Sequence, residues 1–334
     1  MAVTAKRASS FDLPLAGPAG EPIDLWRTLV SHGIASLPPM VLDEDARRLE
    51  VTLSTGAGRP RTVRVIAAPK GQGRVEILGR SPGRAGLRTL RTTLRYMLCL
   101  DEDLSPFYAR ASRDSSLVWV TRGAGRMLRS PTVFEDVVKT VCTTNCSWSA
   151  TQRMVASLVR HLGEPAAGAA PGAVEGRAFP TPEAMAAEGP DFYRDVVRAG
   201  YRGPYLTRLA RSVAEGETDL EILGRAGPEA LPDDEVAARL LALPGVGPYA
   251  AAHVMMLVGR HSRLILDSWT RPTYARLVGR RMVADDAIVR RFRRYGSYAG
   301  LAFWLFLTRD WVAEPEASSA SALRLSPPSD GKDD

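Results

Sequence analysis

Hydrophobic and polar residues alternate along three segments in the first third of the chain. These segments cover residues 49–54, 62–67 and 74–78, and glycine-rich turns separate them. A period of two places every second side chain on one face, as in a half-buried antiparallel strand. Residues 86–98 then show the spacing of an amphipathic helix. The pattern predicts a small antiparallel β-sheet with a covering helix, and residues 117–121 are either a last strand or the approach to the next domain.

From residue 130 the apolar positions recur with the helical period instead. Ser130 and Pro131 have the residue types of a helix cap and first turn. A polar break at residues 142–148 separates the first two helices, and residues 164–177 have the composition of a surface loop. The predicted helices cover residues 133–141, 149–162, 233–241, 249–258, 271–278, 286–295 and 298–307, with a short helix capped by Thr181 and another that ends near Ala214. This part of the chain is therefore expected to be all-helical.

Length and composition fit a globular protein of about two domains. The chain has 334 residues, of which 45% are hydrophobic. We predict an α+β protein with a small antiparallel sheet domain followed by a helical domain. The expected divisions are a flexible amino-terminus over residues 1–20, an α/β domain over 21–125, a helical domain over 126–313 and a disordered tail over 314–334. The α/β domain shows no chemical motif, so its expected role is support.

The formal net charge of +7 favours a polyanionic partner such as double-stranded DNA. Nearly all basic residues are arginines, since the only lysines are Lys6, Lys70, Lys139 and Lys332. A planar guanidinium bonds a phosphate in two places, which suits DNA. A GC-rich genome produces the same excess of arginine, so the bias is compatible with DNA binding without requiring it.

The three cysteines limit the cofactors and the compartment. An odd, low count without a signal peptide favours a reducing cytoplasm. Three cysteines do not supply the four thiolates of an iron–sulfur cluster. Cys142 and Cys146 have no further ligand beside them, so we expect buried helix residues rather than a metal pair. No run is long and apolar enough to span a membrane.

The strongest chemical signal is the segment 243–249, which reads Leu-Pro-Gly-Val-Gly-Pro-Tyr between two predicted helices. Gly245 and Gly247 permit a tight turn and the close approach of a phosphate. Pro248 suits the first position of the second helix, where no N–H is needed. The unpaired amides at that helix start carry partial positive charge, which makes the hairpin a candidate anion site. A plain turn between two packed helices is the alternative interpretation.

This hairpin, together with Asp267 after the apolar residues 264–266, resembles the helix-hairpin-helix DNA glycosylase superfamily. Two further segments are similar to 3-methyladenine DNA glycosylase II and 8-oxoguanine glycosylase members of it. They are the polar break at residues 142–148 and the turn at residues 199–205. The resemblance covers residues 130–312. The missing cysteine cluster separates the chain from the endonuclease III and adenine glycosylase branches.

The resemblance implies a role for each matched residue. Asp267 is the expected catalytic carboxylate. The expected DNA contacts are Gly245, Val246, Gly247, Pro248, Tyr249 and Asn145. The expected pocket for an extruded base is lined by Tyr249, His253, Trp269, Phe303 and Trp148. Family members can also hold a monovalent cation, Na⁺ or K⁺, through hairpin carbonyls, which here are those of Leu241, Leu243 and Val246.

The same residues have structural interpretations as well. An aspartate before a helix is a common cap, and Asn145 has the chemistry of a cap too. The two tryptophans and Phe303 are equally typical of core packing. A lone histidine such as His253 is more often a hydrogen-bonded core residue than a functional one.

In bifunctional members of the superfamily, a lysine after the hairpin attacks the sugar. Tyr249 stands at that position here, and no lysine lies between Lys139 and Lys332. The resemblance implies a monofunctional base excision repair enzyme that hydrolyses the N-glycosidic bond of a damaged base in duplex DNA. An aromatic wall favours alkylated purines. The alternatives are a glycosylase for oxidised or deaminated bases and a non-catalytic DNA-binding protein. We expect a monomer, associated with a bacterial nucleoid, without a membrane partner.

Overall fold

The computed structural model describes residues 9–312. Its sheet has five antiparallel strands in the order β1-β5-β4-β3-β2. The strands are β1 Ser9–Pro14, β2 Val41–Asp43, β3 Arg48–Leu53, β4 Arg61–Ala68 and β5 Gln72–Ile77. The three segments predicted from alternation are the three central strands, β3, β4 and β5.

Alternating apolar side chains hold the centre of the sheet together. Val65 of β4 lies opposite Leu49 of β3 and Val75 of β5, and all three are fully buried. Helix α2, Gly83–Met97, packs its own buried face on this cluster through Leu90 and its neighbours. The prediction of a small sheet with a covering helix is therefore confirmed.

The amino-terminal segment differs from its prediction. Residues 9–14 lie within the segment that we expected to be flexible, and they form the edge strand β1. It pairs with β5 from Ser9 opposite Ile77 to Pro14 opposite Gln72, and Leu13 is completely buried. A proline is tolerated at the end of an edge strand, where its missing N–H breaks no ladder. The predictions for residues 1–8 and for the tail 314–334 fall outside the described residues.

Thirteen α-helices lie within residues 9–312. They are α1 Leu25–Leu29, α2 Gly83–Met97, α3 Ser105–Ala111, α4 Val133–Thr143, α5 Trp148–Leu162, α6 Pro182–Ala186, α7 Gly203–Ala214, α8 Glu221–Arg225, α9 Asp233–Leu241, α10 Pro248–Leu257, α11 Thr270–Leu277, α12 Asp285–Phe292 and α13 Ala299–Thr308. The α+β class is confirmed. In none of these described helices do length and apolar composition reach what a membrane crossing needs.

One predicted cap is wrong. Helix α4 begins behind Thr132, whose side chain accepts a hydrogen bond from the Glu135 amide at 3.2 Å. Ser130 lies two residues earlier, and its own amide donates to Asp136 Oδ1 at 3.1 Å. Thr132 was overlooked because Ser130-Pro131 imitates the usual order of cap and first turn.

Helix α10 belongs to two hydrophobic clusters at once. The first, which we call the α4 cluster, joins Val137 of α4 to Leu240 of α9 and Val254 of α10. The second, the α13 cluster, joins Met256 of α10 to Leu301 and the rest of α13. Burial on all sides explains why α10 is apolar around its whole circumference. The hairpin at its amino-terminal end is consequently fixed from two directions.

Hydrophobic contacts cross the predicted domain boundary at residue 125. Phe107 of α3 and Val120, both on its amino-terminal side, pack in the α13 cluster. Ile34 and Leu37 pack in the α4 cluster. The segment 118–122, one of whose predicted forms was a strand, is a 3₁₀ turn. The division into domains stays a prediction, and these contacts bring amino-terminal residues close to the candidate site.

Candidate active site around Asp267

The hairpin between α9 and α10 has the glycine geometry that its sequence predicts. Gly245 has a φ of +79°, and a Cβ atom there would lie 2.8 Å from Cδ2 of Tyr205. Gly247 precedes α10 in an extended conformation and provides no side-chain cap. Within residues 9–312, the amides of Gly247 and Tyr249 donate no hydrogen bond. The exposed start of α10 therefore presents unpaired N–H groups, as an anion site requires.

Asp267 is held at the start of α11 by one of its two carboxylate oxygens. Oδ1 accepts hydrogen bonds from the amides of Trp269 at 2.9 Å and Thr270 at 2.7 Å. The Asp267 amide donates to Thr270 Oγ1 at 2.8 Å. In the described part of the chain the half-buried carboxylate forms no ion pair and Oδ2 accepts no hydrogen bond. Asp267 thus acts as a cap through Oδ1, while Oδ2 has no hydrogen-bond partner among the described residues.

Tyr249 lies at the amino-terminal end of α10, with the Asp267 carboxylate nearby. It is the second residue of α10, and its ring packs against both the α4 and the α13 clusters. Its hydroxyl lies 3.3 Å from Thr143 Oγ1 at the end of α4. Burial raises the pKa of Tyr249 to about 12, and the nearby Asp267 carboxylate adds to the increase. The hydroxyl therefore stays protonated beside the carboxylate.

Four further aromatic rings form a continuous group next to Tyr249. The His253 ring, one turn further along α10, lies 6.0 Å from Tyr249 and 6.3 Å from Trp304. Trp269 lies 5.6 Å from Trp304 and 5.8 Å from Trp311. We call Tyr249, His253, Trp269, Trp304 and Trp311 the aromatic group. The structure thus brings three of the predicted pocket residues together with two tryptophans that the sequence did not single out.

Phe303 does not belong to this group. It is completely buried in the α13 cluster, 5.3 Å from the ring of Phe292 and 6.0 Å from that of Tyr274. The next residue, Trp304, turns towards Trp269 instead. Helix α13 is apolar around its circumference, so the sequence contained no signal for which aromatic residue faces the site. Phe303 therefore packs in the core outside the aromatic group, and its assignment to the base pocket stays a prediction.

Trp148 lies at the start of α5 and is half-buried against the α4 cluster. The tip of its ring faces Gly33, where a Cβ atom would come within 3.4 Å. No ring contact joins it to the aromatic group within the described residues. Its assignment to the base pocket stays a prediction.

The amino-terminal segment 31–33 reaches the aromatic group and was missed by the sequence analysis. The Ser31 carbonyl accepts a hydrogen bond from Trp304 Nε1 at 2.8 Å. The His32 ring lies 5.8 Å from the His253 ring, edge to face. His32 Nε2 lies 2.7 Å from the Leu128 carbonyl, which makes Nε2 the donor and Nδ1 the unprotonated nitrogen of a neutral ring. Ser31 and His32 were missed because contacts between residues far apart in the chain produce no local sequence pattern.

His32 and His253 are both held neutral by burial. Burial lowers the pKa of His32 to about 4 and that of His253 to about 3 from the ordinary value of 6.5. Between these values and 6.5 the unfolded chain binds protons that the folded chain does not. The free energy of unfolding should therefore fall as the pH falls below 6.5, by about 1.4 kcal/mol per pH unit for each histidine.

We expect His253→Phe to remove one of these two contributions. The slope of unfolding free energy against pH, from urea denaturation between pH 5 and 6, should decrease by about 1.4 kcal/mol per pH unit relative to the unsubstituted protein. Phenylalanine keeps an aromatic ring at the position and does not titrate. Identical slopes for the two proteins would contradict the burial of a neutral His253.

Asn145 occupies the turn between α4 and α5. Its backbone is left-handed, with a φ of +45°, and the side chain is exposed. Nδ2 donates to the hydroxyl of Tyr201 at 3.2 Å. Tyr201 is 52% exposed, and its ring lies 6.2 Å from Tyr205, the residue that supports Gly245. Ser147 caps α5, so the cap interpretation of Asn145 is not needed.

The carbonyls predicted to hold a cation belong to the last turn of α9 and to the hairpin. The Leu243 carbonyl accepts the Val246 amide at 3.2 Å, whereas those of Leu241 and Val246 accept no backbone hydrogen bond outside the helix ladders of the described chain. Free carbonyl oxygens are suitable ligands for a hard cation. The residues present therefore fit such an ion, and its binding stays a prediction.

The structure describes two lysines, Lys70 and Lys139. Lys139 is completely buried, and its Nζ lies 2.6 Å from Glu135 Oε1. Lys70 lies in the turn between β4 and β5. At the position that a lysine takes in bifunctional members of the superfamily, the side chain is the phenol of Tyr249.

Comparisons of the whole fold identify similar solved structures. A 3-methyladenine DNA glycosylase from Archaeoglobus fulgidus aligns with a TM-score of 0.66 and 20% identity, over 91% of this chain and all of that one. A Clostridium acetobutylicum 8-oxoguanine glycosylase/lyase aligns with a TM-score of 0.66 and 19% identity, over 90% of this chain and 96% of that one. MBOgg1 in complex with a low-affinity DNA ligand aligns with a TM-score of 0.67 and 18% identity, over 91% of this chain and 97% of that one. No family model and no curated protein sequence matches the chain. The chain therefore shares the fold of these DNA glycosylases.

Proposed function

We propose that this protein is a DNA glycosylase of base excision repair, which hydrolyses the bond between a damaged base and its deoxyribose in duplex DNA. The observation that carries the proposal is the placement of Asp267. This carboxylate has one oxygen fixed by amides and one without a partner, beside Tyr249 at the amino-terminal end of α10. The glycosylase fold of the similar structures supports the same conclusion.

The hairpin supplies the grip on the DNA backbone in this proposal. The unpaired amides at Gly247 and Tyr249 bind a phosphate without reading sequence. Asn145 and the exposed Tyr201 lie on the neighbouring turn, joined to the hairpin through Tyr205. This group fits a role against the duplex where the damaged base has left the stack. Base extrusion costs a few kcal/mol, which these contacts offset.

Asp267 acts on the sugar. As the bond between the sugar C1′ and the base nitrogen breaks, both of its electrons leave with the base, and positive charge develops on the sugar ring. The fixed carboxylate stabilises this charge. Oδ2, which has no partner, orients the attacking water and accepts its proton as the new C1′–O bond forms. A positively charged alkylated purine leaves as a neutral base because it takes both bond electrons. Asp267 then releases the accepted proton to solvent, and the products are a free base and an abasic site.

The aromatic group favours alkylated purines as the substrate class. An alkylated purine carries positive charge, which an aromatic face attracts. His253 is neutral because burial lowers its pKa, so it does not repel that charge. Alkylated purines also leave readily, so a single carboxylate suffices. The second candidate is an oxidised base, because one group of similar structures is named for 8-oxoguanine.

Methylated genomic DNA tests the proposed substrate class. We expect incubation with the protein to release methylated purines, identified by mass spectrometry of the small-molecule fraction. Undamaged DNA is the control. Release of 8-oxoguanine from oxidised DNA in the absence of methylpurine release would support the second candidate. DNA binding without release of any base from either substrate would support a non-catalytic DNA-binding protein.

We also propose that the enzyme is monofunctional. Trapping with borohydride during turnover should give no covalent protein–DNA adduct, since Tyr249 replaces the reactive amine and Lys139 is buried in an ion pair. The measurement is gel electrophoresis of labelled abasic and lesion-bearing duplexes, with a known lyase as the positive control. A borohydride-dependent adduct would contradict the assignment.

Two further properties complete the proposal. We propose that a Na⁺ or K⁺ ion binds the carbonyls of Leu241, Leu243 and Val246 and adds positive charge near the phosphate contact. The protein is proposed to act as a monomer.

A further inference from the structure

Helix α2 carries a row of arginines that the proposed chemistry does not use. Residues 77–100 contain five arginines and no acidic residue. Four of the five lie on α2 at successive steps of four, three and four residues, which places them on one face. They are Arg84, Arg88, Arg91 and Arg95, and we call them the α2 arginine row. Arg91 and Arg95 have partners, a carbonyl of Asp12 and the carboxylate of Asp101.

Arg84 and Arg88 are exposed, and their side chains form no hydrogen bond or ion pair within residues 9–312. Two arginines of the neighbouring sheet do have carboxylate partners. There, Arg48 pairs with Asp43 at 2.8 Å, and Arg64 with Glu50 at 2.8 Å. These two strand arginines each have a carboxylate partner, whereas Arg84 and Arg88 on the first half of α2 have none among the described residues.

The arrangement has an energetic cost in the absence of a partner. Like charges three or four residues apart destabilise a helix. The first turn of α2 contains no acidic residue, and Pro82 provides no side-chain cap, so the positive end of the helix dipole adds to the charge. A polyanion bound along the row removes this repulsion, because its phosphates neutralise the guanidinium groups.

We infer that the α2 arginine row is a second binding surface for duplex DNA, separate from the hairpin. Neighbours in the row are spaced by about 4.5–6 Å along the helix axis, so several guanidinium groups can bind phosphates of one backbone. A membrane surface is a poorer fit. An interfacial helix needs a free apolar face, whereas Leu90, Leu94 and Met97 are buried against the sheet. The surface gives the sheet part of the protein a binding role in addition to support.

The test is the salt dependence of binding to an undamaged 40-base-pair duplex. In the full-length chain, Arg84→Gln with Arg88→Gln should reduce the slope of log affinity against log salt concentration by about 1.8, which corresponds to two lost phosphate contacts. Glutamine is a good helix former, so the circular dichroism spectrum of the variant should be unchanged. Arg84→Lys with Arg88→Lys keeps the charges and should retain the slope.

A matched control distinguishes an effect of the α2 arginine row from an effect of the protein's net charge. Arg47 and Arg113 are exposed, have no side-chain partner in the described chain and lie apart from each other. Arg47→Gln with Arg113→Gln removes the same two charges and should leave the slope nearly unchanged. Equal slopes for the α2 and control variants would overturn the inference. The inference would also be overturned if the α2 variant lost binding to phosphatidylserine vesicles while the salt dependence of its DNA binding stayed unchanged.

This inference is independent of the proposed enzymatic activity. The salt dependence is measured on undamaged DNA, whereas base release is measured on damaged DNA. Failure to release any base would refute the proposed glycosylase activity. The salt dependence of binding would still decide whether the α2 arginine row binds DNA. In a protein that does release bases, the α2 variant should keep its single-turnover rate at saturating enzyme, because the row contacts neither Asp267 nor the aromatic group.

Discussion

Asp267→Asn is expected to reduce the rate of base release by about 10²–10³-fold, since it removes a preorganised charge from the site where positive charge develops. Asparagine keeps the carbonyl-type oxygen that accepts hydrogen bonds from the amides of Trp269 and Thr270. Asparagine is also a favourable residue at a helix start. The substitution thus separates the chemical role of the carboxylate from its structural role. Single-turnover release of a base from a lesion-bearing duplex measures the effect.

Asp267→Ala is the companion variant. It removes the charge and the hydrogen bonds to the α11 amides together, so it should lose activity and also about 1 kcal/mol of unfolding free energy. Asp267→Asn should lose only activity. Equal rates for Asp267→Asn and the unsubstituted protein would refute the catalytic assignment and leave Asp267 as a cap. Affinity for undamaged DNA should not fall in either variant, because the hairpin is unaltered.

Gly245→Ala is expected to destabilise the protein by about 1–3 kcal/mol and to weaken DNA binding by about tenfold or more. The φ of +79° is unfavourable for alanine, and the new Cβ atom would lie 2.8 Å from Tyr205 Cδ2 and 3.1 Å from its Cγ. Relief of this clash requires the hairpin or the Tyr205 ring to move, which displaces the amides at the start of α10. Denaturant unfolding and fluorescence anisotropy with undamaged duplex measure the two effects.

Gly247→Ala is the matched control for the hairpin. Gly247 has a φ of −98°, which alanine adopts readily, and no atom lies within 4 Å of a Cβ atom at this position. Its unfolding free energy should therefore change by less than about 0.5 kcal/mol. If Gly245→Ala were as stable as Gly247→Ala and bound DNA equally well, the close packing of Gly245 against Tyr205 would have no part in DNA binding.

Local patterns predicted most of the elements in this fold. The three central strands were found from alternation, because each has one apolar, buried face and one more polar, mostly half-buried face. The hairpin was found from Gly245, Gly247 and Pro248, because a tight turn into a helix restricts residue type. Helix α9 ends at Leu241 as predicted, and α10 begins at Pro248, the residue that the sequence favours for its first position. β1 was missed because it lies in a segment rich in proline and glycine.

The composition of the candidate site was predicted less completely. Tyr249 and Trp269 lie near Asp267 as expected, since their positions follow from the hairpin and from the start of α11. Phe303 was assigned to the site and Trp304 was not, whereas the ring of Trp304 contacts the aromatic group and that of Phe303 packs on Phe292. A helix that is apolar on every side has no periodic signal for which face meets the site.

By itself, the sequence determined the strand alternation, the helical spacing, the glycine hairpin and the spacing from that hairpin to Asp267, because these depend on interactions between residues close together in the chain. Tertiary structure alone decided that His32 meets His253, that Trp304 joins the aromatic group and that α10 is enclosed by two clusters. These contacts join segments up to about 270 residues apart, such as Ser31 and Trp304. Their geometry follows from how the whole core packs, which no local pattern records.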